Sequence, residues 1–131
     1  GRIVILPLHP RTKKYIQDYG LTFNSNIKVI SPIGYLDMLS LERSCIKIVT
    51  DSGGVQKEAF FMQKPCITMR DETEWVETVD NDWNRIVGTD KKKILNAIIG
   101  FEPKMQQKDI FGDGTSSEKI CEIIESERIG R

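Results

Sequence analysis

With 131 residues the chain supports one domain with a moderate core. Its 19 basic and 19 acidic side chains cancel, so bulk charge gives no reason to expect a nucleic-acid or membrane partner. No run approaches the ~20 apolar residues that span a bilayer, and no signal-peptide pattern opens the chain.

The elements follow in a regular order. Ile3-Val4-Ile5-Leu6 reads as an apolar strand and Arg11 to Tyr19 as a helix stopped by Gly20. Ile27 to Ile30 is a short strand. Tyr35 to Arg43 is a helix with Leu36, Leu39 and Met38 or Leu41 turned inward. Ile46 to Thr50 is a strand, Val55 to Gln63 a helix, and Cys66 to Met69 a strand after Pro65. A short helix over Val76 to Asp80 and a strand over Arg85 to Val87 follow. Lys91 to Ile99 reads as a helix with Ile94, Leu95, Ile98 and Ile99 on one face, and Lys91-Lys92-Lys93 as its solvated first turn. Ser117 to Glu127 is the last helix, with Ile120, Ile123 and Ile124 together. Strands alternating with helices predict an α/β fold with a mainly parallel sheet covered on both faces. Cys45, Cys66 and Cys121 lack metal-ligand spacing and read as buried free thiols in a reducing cytosol. With one histidine and no CxxC pair, no structural zinc site is expected.

The chemistry concentrates at Thr50-Asp51-Ser52-Gly53-Gly54-Val55-Gln56-Lys57-Glu58-Ala59. A strand that stops at a glycine turn and starts a helix leaves backbone N–H groups at the positive end of a helix dipole, which suits a phosphate. Gly53 and Gly54 let a ligand approach the backbone. Ser52 can cap the helix or donate to a phosphate oxygen. Glu58, one turn on, suits a neighbouring diol. A nucleotide with phosphates and ribose fits these groups. His9, Ser52 and Arg70 each follow a strand, where open parallel sheets bind ligands, and this favours one shared crevice.

This segment, with Lys64 to Arg70 and Glu72-Thr73-Glu74, resembles the signature of the non-hydrolysing UDP-N-acetylglucosamine 2-epimerases. Pro7 to Thr12, Pro32 to Asp37, Ile86 to Asp90 and Phe111 to Gly114 agree in order and spacing, so the resemblance runs from about Ile3 to Ile124. It implies a Rossmann-like parallel sheet with helices on both faces, the C-terminal half of a GT-B type fold. Residues 1–131 are then a C-terminal nucleotide-binding domain truncated at its N-terminal end. It implies inversion of carbon 2 of a UDP-N-acetyl sugar by elimination and re-addition of UDP, with no cofactor and no metal. By position alone His9 either caps the next helix through a ring nitrogen or serves the site; the resemblance makes it catalytic, as a group that stabilises departing UDP. It assigns the diphosphate to Ser52, Gly53 and Gly54 and the ribose to Glu58, and Arg70 joins the UDP-binding set. Met38 falls where the family holds uracil, although many members have phenylalanine there. The partners implied are a UDP-sugar substrate and an N-terminal domain that supplies the catalytic carboxylates. The full-length protein is expected to be a cytoplasmic homodimer.

One departure bears on the substrate. The family's common Thr-Glu-Arg-Pro-Glu reads Thr73-Glu74-Trp75-Val76-Glu77 here. Trp75 cannot supply the charge of that arginine and is either a rim aromatic or a core one. With Asp82-Trp83-Asn84 it resembles the branch that acts on UDP-diacetamido-uronic acid sugars. A glycosyltransferase half-domain of the same fold and a non-catalytic UDP-binding module are the alternatives. Asp-Ser-Gly-Gly also surrounds the nucleophile of chymotrypsin-like proteases, but a following helix and an α/β order do not fit that β-barrel.

The family strand that ends in Thr-x-His-Arg has no match in the chain. In the order 3-2-1-4-5-6 it would lie between the strands at Ile3–Leu6 and Ile46–Thr50. Those two strands pair directly, or another chain contributes a strand, or the parent protein supplies it and the fragment is unstable without it; of these, self-association is the expected outcome.

Overall fold

The computed structural model describes residues 2–129. Eleven elements alternate through the described residues: β1 (Val4–Pro7), α1 (Pro10–Asp18), β2 (Ile27–Ile30), α2 (Tyr35–Ser44), β3 (Ile48–Thr50), α3 (Gly53–Phe61), β4 (Cys66–Thr68), α4 (Val76–Asp80), β5 (Asn84–Ile86), α5 (Lys91–Gly100) and α6 (Ser116–Ile129). All strand pairs are parallel, and the fold is the expected Rossmann-like α/β. The strands form two separate ladders, β1–β2 and β3–β4–β5. Direct pairing of β1 with β3 is therefore not formed among the described residues. The chain divides into two compact units at Ser44/Cys45.

In the first unit, Val4 opposes Ile27 and Pro7 opposes Ile30. Leu8, just after β1, is its buried apolar residue. Leu36 lies exposed, so the inner side of α2 is made by half-buried Met38, Leu39 and Leu41 with buried Glu42, one helical turn after Met38. α1 starts at Pro10, where a missing N–H costs nothing.

The second unit is built around β4. Successive strand residues point to opposite faces. Cys66 packs with Ile48 and Ala59 of α3, whereas Ile67 packs with Val87 and with Ala97 and Phe101 at α5. Helices thus cover both faces of the central strand. Burying Ile67 fully contributes about 1.5–3 kcal/mol. The buried face of α5 is Ile94, Ala97 and Ile98; Leu95 and Ile99 are exposed, because a helix turning 100° per residue cannot seat five neighbours on one strand. Ile120, Ile123 and Ile124 of α6 are also exposed. Of the three thiols, Cys66 is buried, Cys45 is half-buried and Cys121 is exposed.

Several boundaries shift. The third strand starts at Ile48, since Ile46 is exposed, and α3 starts at Gly53 rather than Val55. α3 ends at Phe61 because Gln63 adopts a left-handed φ of 55° and closes the last turn through Gln63 N to Phe60 O and Lys64 N to Ala59 O. The basic triplet is the exposed first turn of α5, capped by Asp90, whose carboxylate accepts from Lys93 N at 2.8 Å. Gly88 takes φ +61°, and a Cβ there would stand 2.8 Å from the Asp71 carboxylate, so the Ile86 to Asp90 motif serves the turn.

Beneath the candidate site lies a buried polar lattice. Thr68 Oγ1 donates to Asn84 Oδ1 at 2.7 Å. Asn84 Nδ2 donates to Gln56 Oε1 at 3.2 Å and to Thr78 Oγ1 at 3.1 Å. Thr73 Oγ1 donates to the same Gln56 oxygen. Four elements are thereby tied through the buried side chains of Gln56, Thr68, Thr78 and Asn84, with half-buried Thr73 at the edge.

Candidate functional site

The turn after β3 forms because its donors find local acceptors in order. Ser52 N donates to Thr50 Oγ1 at 3.0 Å, and Val55 N to Ser52 Oγ at 3.5 Å. Ser52, at φ −84° and ψ 126°, is the N-cap of α3. The N–H groups of Gly53 and Gly54, first and second in the helix, donate no such bond among the described residues. Two adjacent donors are left at the positive end of a nine-residue helix, an arrangement suited to an oxyanion.

The two glycines have different reasons to lack a Cβ. At Gly53 it would come within 3.3 Å of Glu74 Oε2 and 3.7 Å of Trp75 Nε1. The segment before α4 thus lies directly against the turn. At Gly54 it would meet only Ser52 Oγ, at 3.8 Å, so that face of the backbone stays open to a ligand.

Glu58 lies on α3, six positions after Ser52, and is half-buried. Among the described residues its carboxylate makes no hydrogen bond or ion pair, which leaves both oxygens to accept from a diol. Arg70 follows β4 and makes a two-pronged pair with Glu74: Nη2 to Oε1 at 2.8 Å and Nη1 to Oε2 at 3.0 Å. The hydrogen bond and charge of Arg70 hold the Glu74 carboxyl below the usual glutamate range, and Glu74 raises the guanidinium in turn. The Glu74 oxygen beside Gly53 is therefore charge-compensated.

His9 and Met38 belong to the unit that ends at Ser44. His9 is exposed and caps α1: its Nδ1 accepts from Arg11 N at 3.2 Å. In the neutral ring that bond places the proton on Nε2, which is then a donor. Met38 is half-buried in the first turn of α2.

Three features escaped sequence reasoning. Trp75 donates its indole N–H to Gly53 O at 2.8 Å. Lys57 Nζ lies 4.4 Å from the Trp75 ring and 4.7 Å from that of Phe111. Phe111 in turn meets Phe60, Phe61 and Trp75 edge-on. The signal for the last was present in the Phe111 to Gly114 match, whose Asp113 accepts from Thr115 N and Oγ1 and orders the turn into α6. The polar lattice had a signal too: Gln56 falls on the helix face of Ala59 and Phe60. Among the described residues no group of three His, Cys, Asp or Glu side chains is placed to hold a metal ion, and no helix is long and apolar enough to cross a membrane.

A sequence model described as UDP-N-acetylglucosamine 2-epimerase matches residues 2–125. The chain belongs to the UDP-N-acetylglucosamine 2-epimerase family. It is 51% identical over 126 residues to a UDP-N-acetylglucosamine 2-epimerase homolog of Methanococcus maripaludis, covering 92% of this chain and 35% of that protein. It is 46% identical over 123 residues to the UDP-2,3-diacetamido-2,3-dideoxy-D-glucuronate 2-epimerase of Pseudomonas aeruginosa, covering 92% of this chain and 34% of that one. Among solved structures it is similar to the UDP-GlcNAc 2-epimerase of Methanocaldococcus jannaschii in complex with UDP-GlcNAc and UDP, with a TM-score of 0.82 and 43% identity over 95% of this chain and 36% of that chain. The chain thus spans about a third of the length of these relatives.

Proposed function

We propose that this chain is the UDP-binding part of an enzyme that inverts carbon 2 of a UDP-N-acetyl sugar. The observation that carries this is the α3 start, where two unpaired N–H groups at Gly53 and Gly54 precede the unpaired carboxylate of Glu58 by one turn. The diphosphate takes the N–H pair and the Ser52 hydroxyl; the ribose diol takes Glu58. Arg70, paired with Glu74, borders the same turn, and Met38 packs against the base.

In the proposed reaction the proton leaves carbon 2 to a base and the carbon 1–oxygen bond breaks toward UDP, leaving a glycal. UDP then re-forms the bond at carbon 1 while a proton reaches carbon 2 on the opposite face. Binding the diphosphate more tightly as it takes up the leaving charge lowers the barrier to elimination. His9 serves this step through its Nε2–H. The carboxylates that move the proton come from the rest of the protein. The Trp75-Val76-Glu77 form and the Pseudomonas relative favour a diacetamido-uronic sugar as one substrate to test. We place the full-length protein in the cytoplasm as a homodimer.

The test is hydrogen exchange in heavy water. The full-length protein should place deuterium at carbon 2 of UDP-N-acetylglucosamine or of the UDP-diacetamido-uronic sugar, and this chain alone should not. No exchange with either sugar would contradict the reading.

A further inference from the structure

The Gly53–Gly54 peptide opens α3 and has no side chain on either flank, so its hydrogen bonds alone limit its rotation. Its plane is trans, so the Gly53 carbonyl and the Gly54 N–H point in opposite directions. Whatever holds the carbonyl therefore aims the N–H. Two donors reach the carbonyl: the first ladder bond of α3, and the Trp75 indole, which turns toward it from outside the helix with Nε1 at 2.8 Å from the oxygen.

Trp75 is itself held at three points. Its backbone N donates to Thr73 Oγ1 at 3.1 Å, and Thr73 donates to buried Gln56 on the inner face of α3. Lys57, one turn along the same helix, lies 4.4 Å from the ring. Phe111 meets it edge-on at 5.9 Å. Trp75 thus grips α3 at its first residue and is gripped by residues of the first turn and a half of that helix.

We propose that Trp75 is a positioning residue: by holding the Gly53 carbonyl, its indole N–H fixes the Gly53–Gly54 peptide and aims the Gly54 N–H at a diphosphate oxygen. This rests on the UDP reading above and adds to it. An indole at this position contributes no charge to the ligand. Its effect reaches the diphosphate through the backbone and does not extend to the nucleoside.

The variant is Trp75→Phe in the full-length protein, which keeps a ring against Lys57 and Phe111 and removes only the donor. Calorimetric titration with UDP and with uridine separates the two halves of the ligand. The dissociation constant for UDP should rise about tenfold, the size of one hydrogen bond lost, while that for uridine stays within about twofold. An unchanged UDP affinity, or equal losses for UDP and uridine, would overturn the role of Trp75 alone. A parent protein that binds no UDP would overturn the reading of the site and this inference with it. Should the variant not fold, the parent decides. UDP should slow hydrogen exchange of the Trp75 indole N–H, assigned with Trp83→Phe, and uridine should not. Equal protection by both ligands would overturn the proposal.

Discussion

The two units contain similar strands with opposite fates. Val4, Ile5 and Val29 in β1 and β2 are 47, 44 and 42% exposed, whereas Cys66 and Ile67 in β4 are 1 and 0% exposed. Apolar content does not separate them. β4 has a paired strand on each edge and a helix on each face, with α3 over Cys66 and α5 over Ile67. β1 is paired along one edge only among the described residues. Burial is thus set by the number of covering elements, and the strand that carries the phosphate-type turn lies in the well-covered unit. A site that must hold two backbone donors still needs that support.

The largest expected effect tests this contrast directly. In this chain Ile67→Ala should cost about 2–5 kcal/mol of stability, while Ile5→Ala should cost less than about 1 kcal/mol, as read by urea unfolding. Equal losses would show that β1 is as well buried as β4. The polar lattice sharpens the comparison. Asn84→Ala removes the acceptor of Thr68 and the donor of Gln56 and Thr78 at one stroke. Leaving such buried groups unsatisfied should cost about 2–3 kcal/mol in the same assay. A loss near zero would mean that the lattice is replaced by water.

The smallest effect is a pH dependence at the site's edge. Glu74 has a folded pKa below its unfolded value, chiefly through the hydrogen bond from Arg70. Its contribution is therefore fully present above the ordinary glutamate range and is lost as pH falls through the lowered folded value. The carboxyl resonance of Glu74 should titrate below the usual range in the parent and return to it in Arg70→Gln. No difference between the two would show that the pair is absent in solution.

The order of elements was legible because most strands are short apolar runs and two helices have a clear signal, Ser52 as the cap of α3 and Gly20 as the stop of α1. The residues of the turn were legible for the same local reason. Glycine, a hydroxyl cap and a carboxylate one turn on are all read within ten positions. What was not legible depends on distance along the chain. Trp75 reaches Gly53 across 22 positions and Thr73 reaches Gln56 across 17. No periodicity within α3 or α4 encodes either contact. The exposure of Leu36, Leu95 and Ile99 was missed because a helix face that is apolar over its whole length is buried only where a strand stands opposite.

The central claim is that the start of α3 holds a nucleoside diphosphate, with Glu58 on the ribose. Calorimetric titration of UDP into the full-length protein and its Glu58→Ala variant tests it most directly. Loss of a charge-assisted hydrogen bond of about 1.5–3 kcal/mol predicts a variant that binds UDP roughly 10- to 100-fold more weakly, with unchanged unfolding. A variant that binds UDP as tightly as the parent would contradict the account.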